Sequence, residues 1–182
     1  MDQYNFHSIT ISGKVATGTT TLAKNLERIL SWKYINAGAI SRAYDRKHGR
    51  IEYEHGSLVR PDDYEKKMDE QTKKILTAQK NIIYEAWLAG FISRNIDGVL
   101  RVLLICSSDA VKIDRVANRD NLTIQEAKKF IKIREEENIA KWKQLYGDHD
   151  FWDKKIFHVV IDTYSSGTME TVGKVLDKLG YK

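Results

Sequence analysis

The residues with the clearest chemical capacity form one run: Gly13, Lys14, Val15, Ala16, Thr17, Gly18, Thr19, Thr20 and Thr21. Two glycines five positions apart let the backbone turn so that successive amide N–H groups face one point, an arrangement that captures phosphate oxygens. Thr20 stands where the Walker A pattern puts its magnesium-binding hydroxyl, but the lysine expected after the second glycine is Thr19. Lys14 is the cation able to swing over such a loop and meet the same phosphate charge. The plainer alternative is an ordinary glycine-containing turn between a strand and a helix.

Other residues could serve the same chemistry, since phosphoryl transfer asks a protein mainly for positioning and positive charge. Arg115 and Arg119, four apart, project from one helix face, and Arg134 and Lys141, seven apart, share about one face of another. The alternative for each is a surface cation paired with Glu135, Glu136 or Glu137. Glu85, closing an apolar strand, has the place of an acid that orders magnesium through water, or of a hydrogen-bonded structural glutamate. Asp69, beside Lys66 and Lys73, reads as a solvated charge. The five histidines form no metal-binding spacing. Trp142, Tyr146, Phe151 and Trp152 suggest packing rather than a stacking strip for nucleic acid.

These groups need a scaffold, and the hydrophobic pattern supplies one. Strands are expected at Phe6–Ser12, Lys33–Asn36, Asn81–Glu85, Leu100–Cys106 and Phe157–Thr163. Helices are expected from Thr20 to Leu30, Ala39 to His48, Asp62 to about Gln79, Leu88 to Arg94, Ala110 to Arg119, Gln125 to about Tyr146 and Met169 to Leu179. Thr123 and Glu126 have the spacing of a capping box for the long helix. Residues 49–61, with two glycines and the only proline, read as a surface loop. Strands alternating with helices imply right-handed crossovers and an α/β fold, a three-layer α/β/α arrangement around a five-stranded parallel sheet.

Composition sets the limits. The 182 residues, 42% of them apolar, suit one domain with a sizeable core. A net charge of +5, spread along the chain, fits an anionic ligand better than a surface that coats nucleic acid. The single Cys106 excludes an internal disulfide framework and points to a reducing compartment. The start, Met1 to His7, lacks a signal-peptide pattern and no apolar run is long enough to span a bilayer, so a cytoplasmic protein without membrane partners is expected.

The chain also carries a family resemblance. Gly18-Thr-Thr-Thr21 followed by Leu22-Ala-Lys24, then Ile35-Asn-Ala-Gly-Ala-Ile-Ser-Arg42, resembles the archaeal-type cytidylate kinases, whose phosphate loop, usually Gly-Pro-Pro-Gly-Ser-Gly-Thr-Thr-Thr, likewise has Thr where Walker A has Lys. Asn81 to Glu85, Leu88-Ala89-Gly90, Arg115, Arg119, Arg134-Glu-Glu and Tyr146-Gly147 follow in family order, covering most of the chain. Lys14 and Ala16 depart from the family loop, and residues 46–68 align poorly.

The resemblance implies the P-loop α/β/α fold, with an acceptor-binding region at about 38–80 and a lid at about 120–145. It implies transfer of the γ-phosphoryl group of ATP to CMP or dCMP with magnesium, by a monomer or homodimer acting on small nucleotides. Arg42, after Gly38, is implied to bind the acceptor phosphate, and Arg115, Arg119, Arg134 and the Lys141 position to close over the phosphates. The loop from Thr163 to Ser166 is implied to border adenine. Trp87 replaces an arginine that touches the acceptor phosphate in the family; an indole there either stacks on a base or fills core. Two other readings follow from these departures: a nucleotide-binding protein with impaired transfer, or a kinase of another small acceptor.

Overall fold

The computed structural model describes residues 4–51 and 54–182; the extreme start of the chain and residues 52 and 53 of the expected loop lie outside the described residues. The strands β1 (Ser8–Gly13), β2 (Lys33–Asn36), β3 (Ile82–Glu85), β4 (Val99–Ile105) and β5 (Val159–Asp162) form a parallel sheet in the order β2-β3-β1-β4-β5. The helices are α1 (Thr19–Leu30), α2 (Ala37–Lys47), α3 (Asp62–Ala78), α4 (Ala89–Ile92), α5 (Asp109–Asp120), α6 (Ile124–Tyr146) and α7 (Thr168–Leu179). β2 has the expected bounds, the other strand boundaries shift by at most two residues, and the expected loop 49–61 contains a 3-10 turn at Ser57–Val59. The helix read from Leu88 to Arg94 shortens to the single turn of α4, because Leu88 and Ser93 leave helical geometry.

β1 occupies the middle of the sheet, and its two faces are built differently. Ile9 and Ile11 are fully buried under Leu22, Ala23 and Leu26 of α1 and Val172 and Val175 of α7. Each such aliphatic side chain contributes roughly 1.5–3 kcal/mol when removed from water. The opposite face carries Ser8, Thr10 and Ser12, short enough to let α4 approach: the Gly90 N–H donates to Ser12 Oγ at 2.8 Å. A Cβ on Gly90 would lie 2.1 Å from the Phe157 ring, so only glycine fits between strand and ring. Coverage of both faces buries every residue of β1, although its sequence alternates polar and apolar side chains.

Register carries the sheet into the site. Ile11 pairs with Glu85 on one side and Val102 on the other, while Asn36 at the end of β2 pairs with Glu85. The carboxyl ends of the three neighbouring strands β2, β3 and β1 therefore meet at the loop after β1, where open parallel sheets bind ligands. The capping box of α6 forms as its spacing predicts: the Thr123 hydroxyl accepts from the Glu126 N–H, and Glu126 accepts from the Thr123 N–H at 2.8 Å. No helix of the described residues is long and apolar enough to cross a membrane.

Candidate functional site

The loop from Gly13 to Gly18 wraps tightly before α1 begins. A Cβ on Gly13 would lie 2.3 Å from Thr17 Oγ1 and 2.8 Å from the Leu104 carbonyl, so the first glycine is fixed by close approach. Gly18 (φ 90°) and Ala16 (φ 59°) both adopt left-handed backbone. Ala16 bears a strain that glycine would not, which is the physical content of its departure from the family loop. Gly18 offers no side-chain cap to α1, and the first N–H groups of that helix stay open to an anion. Val15 is buried against Val116, Ala127 and Phe130 and pins the loop from beneath.

A cavity of about 740 Å³ opens above this loop. It is lined by the expected Gly13, Lys14, Val15, Ala16, Gly18, Thr19, Thr20 and Thr21, and equally by Gly38, Arg42, Glu85, Trp87, Arg115, Arg119, Arg134 and Thr163. Two expected residues do not reach it. Thr17 is 4% exposed and turned inward, its hydroxyl donating to the Lys14 carbonyl at 3.0 Å, so it staples the loop instead of facing a ligand. Lys141, also 4% exposed, donates to the Arg60 carbonyl at 2.6 Å and to Asp62 at 2.5 Å. Its ammonium braces the chain before α3, which corrects the expectation that it meets substrate.

Glu85 anchors the floor of the cavity. Its Oε1 accepts hydroxyl protons from Thr19 and Thr20, both at 2.7 Å, and its Oε2 accepts from Tyr34 and, at 2.8 Å, from the Asn36 amide. Burial, and then the neighbouring Glu85, raise the Tyr34 hydroxyl pKa, so it remains a proton donor. The described residues include no cluster of three metal-binding side chains. A buried carboxylate beside a threonine hydroxyl and a phosphate nest nevertheless suits magnesium, which keeps most of its waters and leans on substrate phosphates.

The cations take separate positions. Arg115 donates to the Ala16 carbonyl at 3.0 Å, to Thr163 Oγ1 at 2.9 Å and to the Thr163 carbonyl at 2.8 Å, tying the phosphate loop to the segment after β5. Thr163 reinforces that tie by donating to the Thr17 carbonyl at 3.0 Å. Arg119 bonds to Asp120 at 2.8 and 2.6 Å, and Asp120 itself lines the cavity. Arg134 is buried, with one N–H directed to the His55 carbonyl at 3.5 Å. The Arg42 guanidinium folds back toward Gly38, where an added Cβ would meet Nη1 at 3.1 Å.

Lys14 does not lie over the phosphate nest. Its ammonium sits 4.9 Å from the centroid of the Trp152 ring, a cation–π contact. Trp152 in turn donates its indole N–H to the Trp87 carbonyl at 3.2 Å, and Trp87 packs 5.6 Å from Trp142. Trp87 fills core at the edge of the aromatic cluster, the second of the two roles expected of an indole there, and part of its surface lines the cavity. Trp142 and Phe151, 7% and 1% exposed, belong to that core and form no outward strip. Asp69 is a correction: burial pushes its carboxyl up to about 6, opposed by the hydrogen bond from Tyr146, so it is no solvated charge.

Tyr34, Asn36, Asp120 and Trp152 are the cavity-related residues that spacing alone missed. Asn36 had one readable signal, its place as a helix N-cap, which it fulfils by accepting from the Ala39 N–H at 2.7 Å. Tyr34 and Trp152 are brought in by sheet register and tertiary packing, and Asp120 by its place beside Arg119 at the end of α5.

Comparison with known proteins sets this geometry in context. The model of the cytidylate kinase-like family matches residues 8–165. The chain is 33% identical over 156 residues to a cytidylate kinase of Sulfurisphaera tokodaii, covering 85% of each chain. It is 30% identical over 169 residues to a cytidylate kinase of Methanoregula boonei, covering 92% of this chain and 91% of that one. A solved gluconokinase from Sinorhizobium meliloti shares the fold, with a TM-score of 0.62 at 13% identity over 96% of this chain and 91% of its own.

Proposed function

From the premise that this chain belongs to the cytidylate kinase-like family, we propose that it transfers the γ-phosphoryl group of ATP to CMP or dCMP, yielding ADP and CDP or dCDP. The observation that carries this reading is the joining of three parts in one cavity: the phosphate loop, the Thr20–Glu85 pair and the helix bearing Gly38 and Arg42. A donor and an acceptor phosphate can meet only where such parts converge.

In this reading the open N–H groups from Gly13 through Thr21 hold the donor polyphosphate, and Arg115 keeps that loop against Thr163 beside the adenine. Arg42 and Gly38, with Trp87 alongside, receive the acceptor phosphate. Arg119 and Arg134 supply charge on the opposite wall, and Lys14 leaves Trp152 to join them. An acceptor phosphate oxygen attacks the γ-phosphorus as the bond to the bridging oxygen breaks, and the electron pair leaves with ADP. No strong base is required, because the acceptor is already anionic. Thr20 and Glu85 would hold magnesium, which when bound neutralises developing charge on the phosphates.

The same reading assigns residues 38–80 to the acceptor side and 120–145 to a lid. It has the chain acting on small nucleotides in the cytoplasm, as a monomer or homodimer, with neither nucleic acid nor membrane as partner. A coupled assay of ADP release with ATP and magnesium over a panel of monophosphates tests it. Turnover on CMP and dCMP is expected. ATP binding with no turnover on any acceptor would make the chain a nucleotide-binding protein, and turnover confined to a non-nucleotide would move it to another kinase class.

A further inference from the structure

Resting on the reading that this cavity handles ATP with magnesium, we propose that Tyr34 and Asn36 are positioning residues that set the Glu85 carboxylate, and that Asn36 ties this acid to the acceptor helix α2. The terminal torsion of a glutamate is soft, so a carboxylate held on one oxygen alone turns readily. Glu85 is held on both. Thr19 and Thr20 occupy Oε1 at 2.7 Å, while Tyr34 and Asn36 occupy Oε2, and Asn36 Nδ2 also donates to the Tyr34 oxygen at 2.8 Å. Because Thr20 spends its proton on Glu85, its oxygen keeps lone pairs available for a cation. Tyr34 and Asn36 preserve that state from behind, since neither competes for Oε1.

Asn36 has a second engagement. Its Oδ1 accepts from the Ala39 N–H at 2.7 Å and caps α2, the helix that carries Gly38 and Arg42. One amide thus has its donor end on the metal-side acid and its acceptor end on the acceptor-side helix. The β2–β3 register makes this possible by setting Asn36 directly opposite Glu85. A shift of the carboxylate is passed through that amide to the first turn of α2, so the donor and acceptor halves of the cavity are mechanically joined.

The test uses the full chain, with Tyr34→Phe removing one donor and Asn36→Ser keeping a helix cap while withdrawing the amide from Glu85. Manganese binding in the presence of a nonhydrolysable ATP analogue, followed by electron paramagnetic resonance, reads the positioning without any turnover. Tyr34→Phe is expected to weaken manganese binding about tenfold, as loss of a hydrogen bond to a charged group implies, and CMP binding by less, because Asn36 still holds Glu85 and caps α2. Asn36→Ser is expected to weaken both manganese and CMP binding. If Asn36→Ser fails to fold, Tyr34→Phe, which loses only an oxygen, carries the measurement. A wild type that phosphorylates CMP while Tyr34→Phe binds manganese as tightly overturns this inference and leaves the functional reading standing. A wild type that binds no manganese with the triphosphate analogue overturns both.

Discussion

In the proposed function Lys14 answers for a missing lysine without occupying its place. The loop lacks the lysine that usually follows its second glycine, and the nearest substitute is parked on Trp152, 4.9 Å from the ring centroid. A cation–π contact is worth about 0.5–2 kcal/mol depending on exposure, small against the attraction of a polyphosphate, and the proposed function requires the ammonium to leave it when ATP binds. Lys14→Ala is expected to lower turnover at least about tenfold, roughly 1.4 kcal/mol, in steady-state kinetics with CMP. Unchanged kinetics would leave the backbone amides as the whole cradle. At this scale Gly13, Gly18 and Thr20 were legible, because spacing alone fixes a phosphate turn. Tyr34 and Trp152 were not, because their partners lie 51 residues away at Glu85 and 65 away at Trp87.

Among the elements, the packing of α3 on α6 contains the least expected chemistry. Tyr146 of α6 donates to Asp69 of α3, and Trp142 points its indole N–H toward Glu65 at 3.5 Å. Burial raises Asp69 from an ordinary 3.8 to about 6, so the native state holds this proton more tightly than the unfolded chain does. The resulting stabilisation is complete below about pH 4 and is lost as pH rises through about 6, at most about 3 kcal/mol in all. Asp69→Asn keeps an acceptor for Tyr146 and carries no such proton. In urea unfolding across pH 4.5–7.5, roughly the window of that titration, the variant is expected to gain on the wild type and then level off. A difference independent of pH would refute the assignment. The strands and long helices were readable from periodicity, and the capping box fixed the start of α6. The course of residues 54–61 was not, because its Gly56 and Ser57 N–H groups are received by Glu137 and Asn138, far along the chain.

Taken whole, the molecule holds the segment entering α3 against α6 through buried charge. Arg60, 6% exposed, donates to Asp45 at 2.8–3.0 Å and to Glu65 at 2.9 Å, while Lys141 donates to the Arg60 carbonyl and to Asp62. Lys141→Met would strand that carbonyl and is expected to cost about 1–3 kcal/mol in thermal unfolding, with a smaller effect on KM for CMP. A large rise in KM with unchanged stability would return Lys141 to the substrate. The α/β/α architecture was legible because alternating strands and helices admit few other arrangements. This ionic joint was not, since a run of charges looks alike in sequence whether it faces water or another helix.

The aromatic cluster has one more consequence. Three of the four tryptophans, Trp87, Trp142 and Trp152, gather beside the cavity, whereas Trp32 lies under the sheet against Tyr4, 5.6 Å away. The protein thus carries an optical reporter at its working end and a constant lamp at the other. When the Lys14 ammonium leaves the indole it covers, the ultraviolet emission of the unlabelled chain should change in step with occupancy, and a titration curve can be read by eye from a fluorimeter.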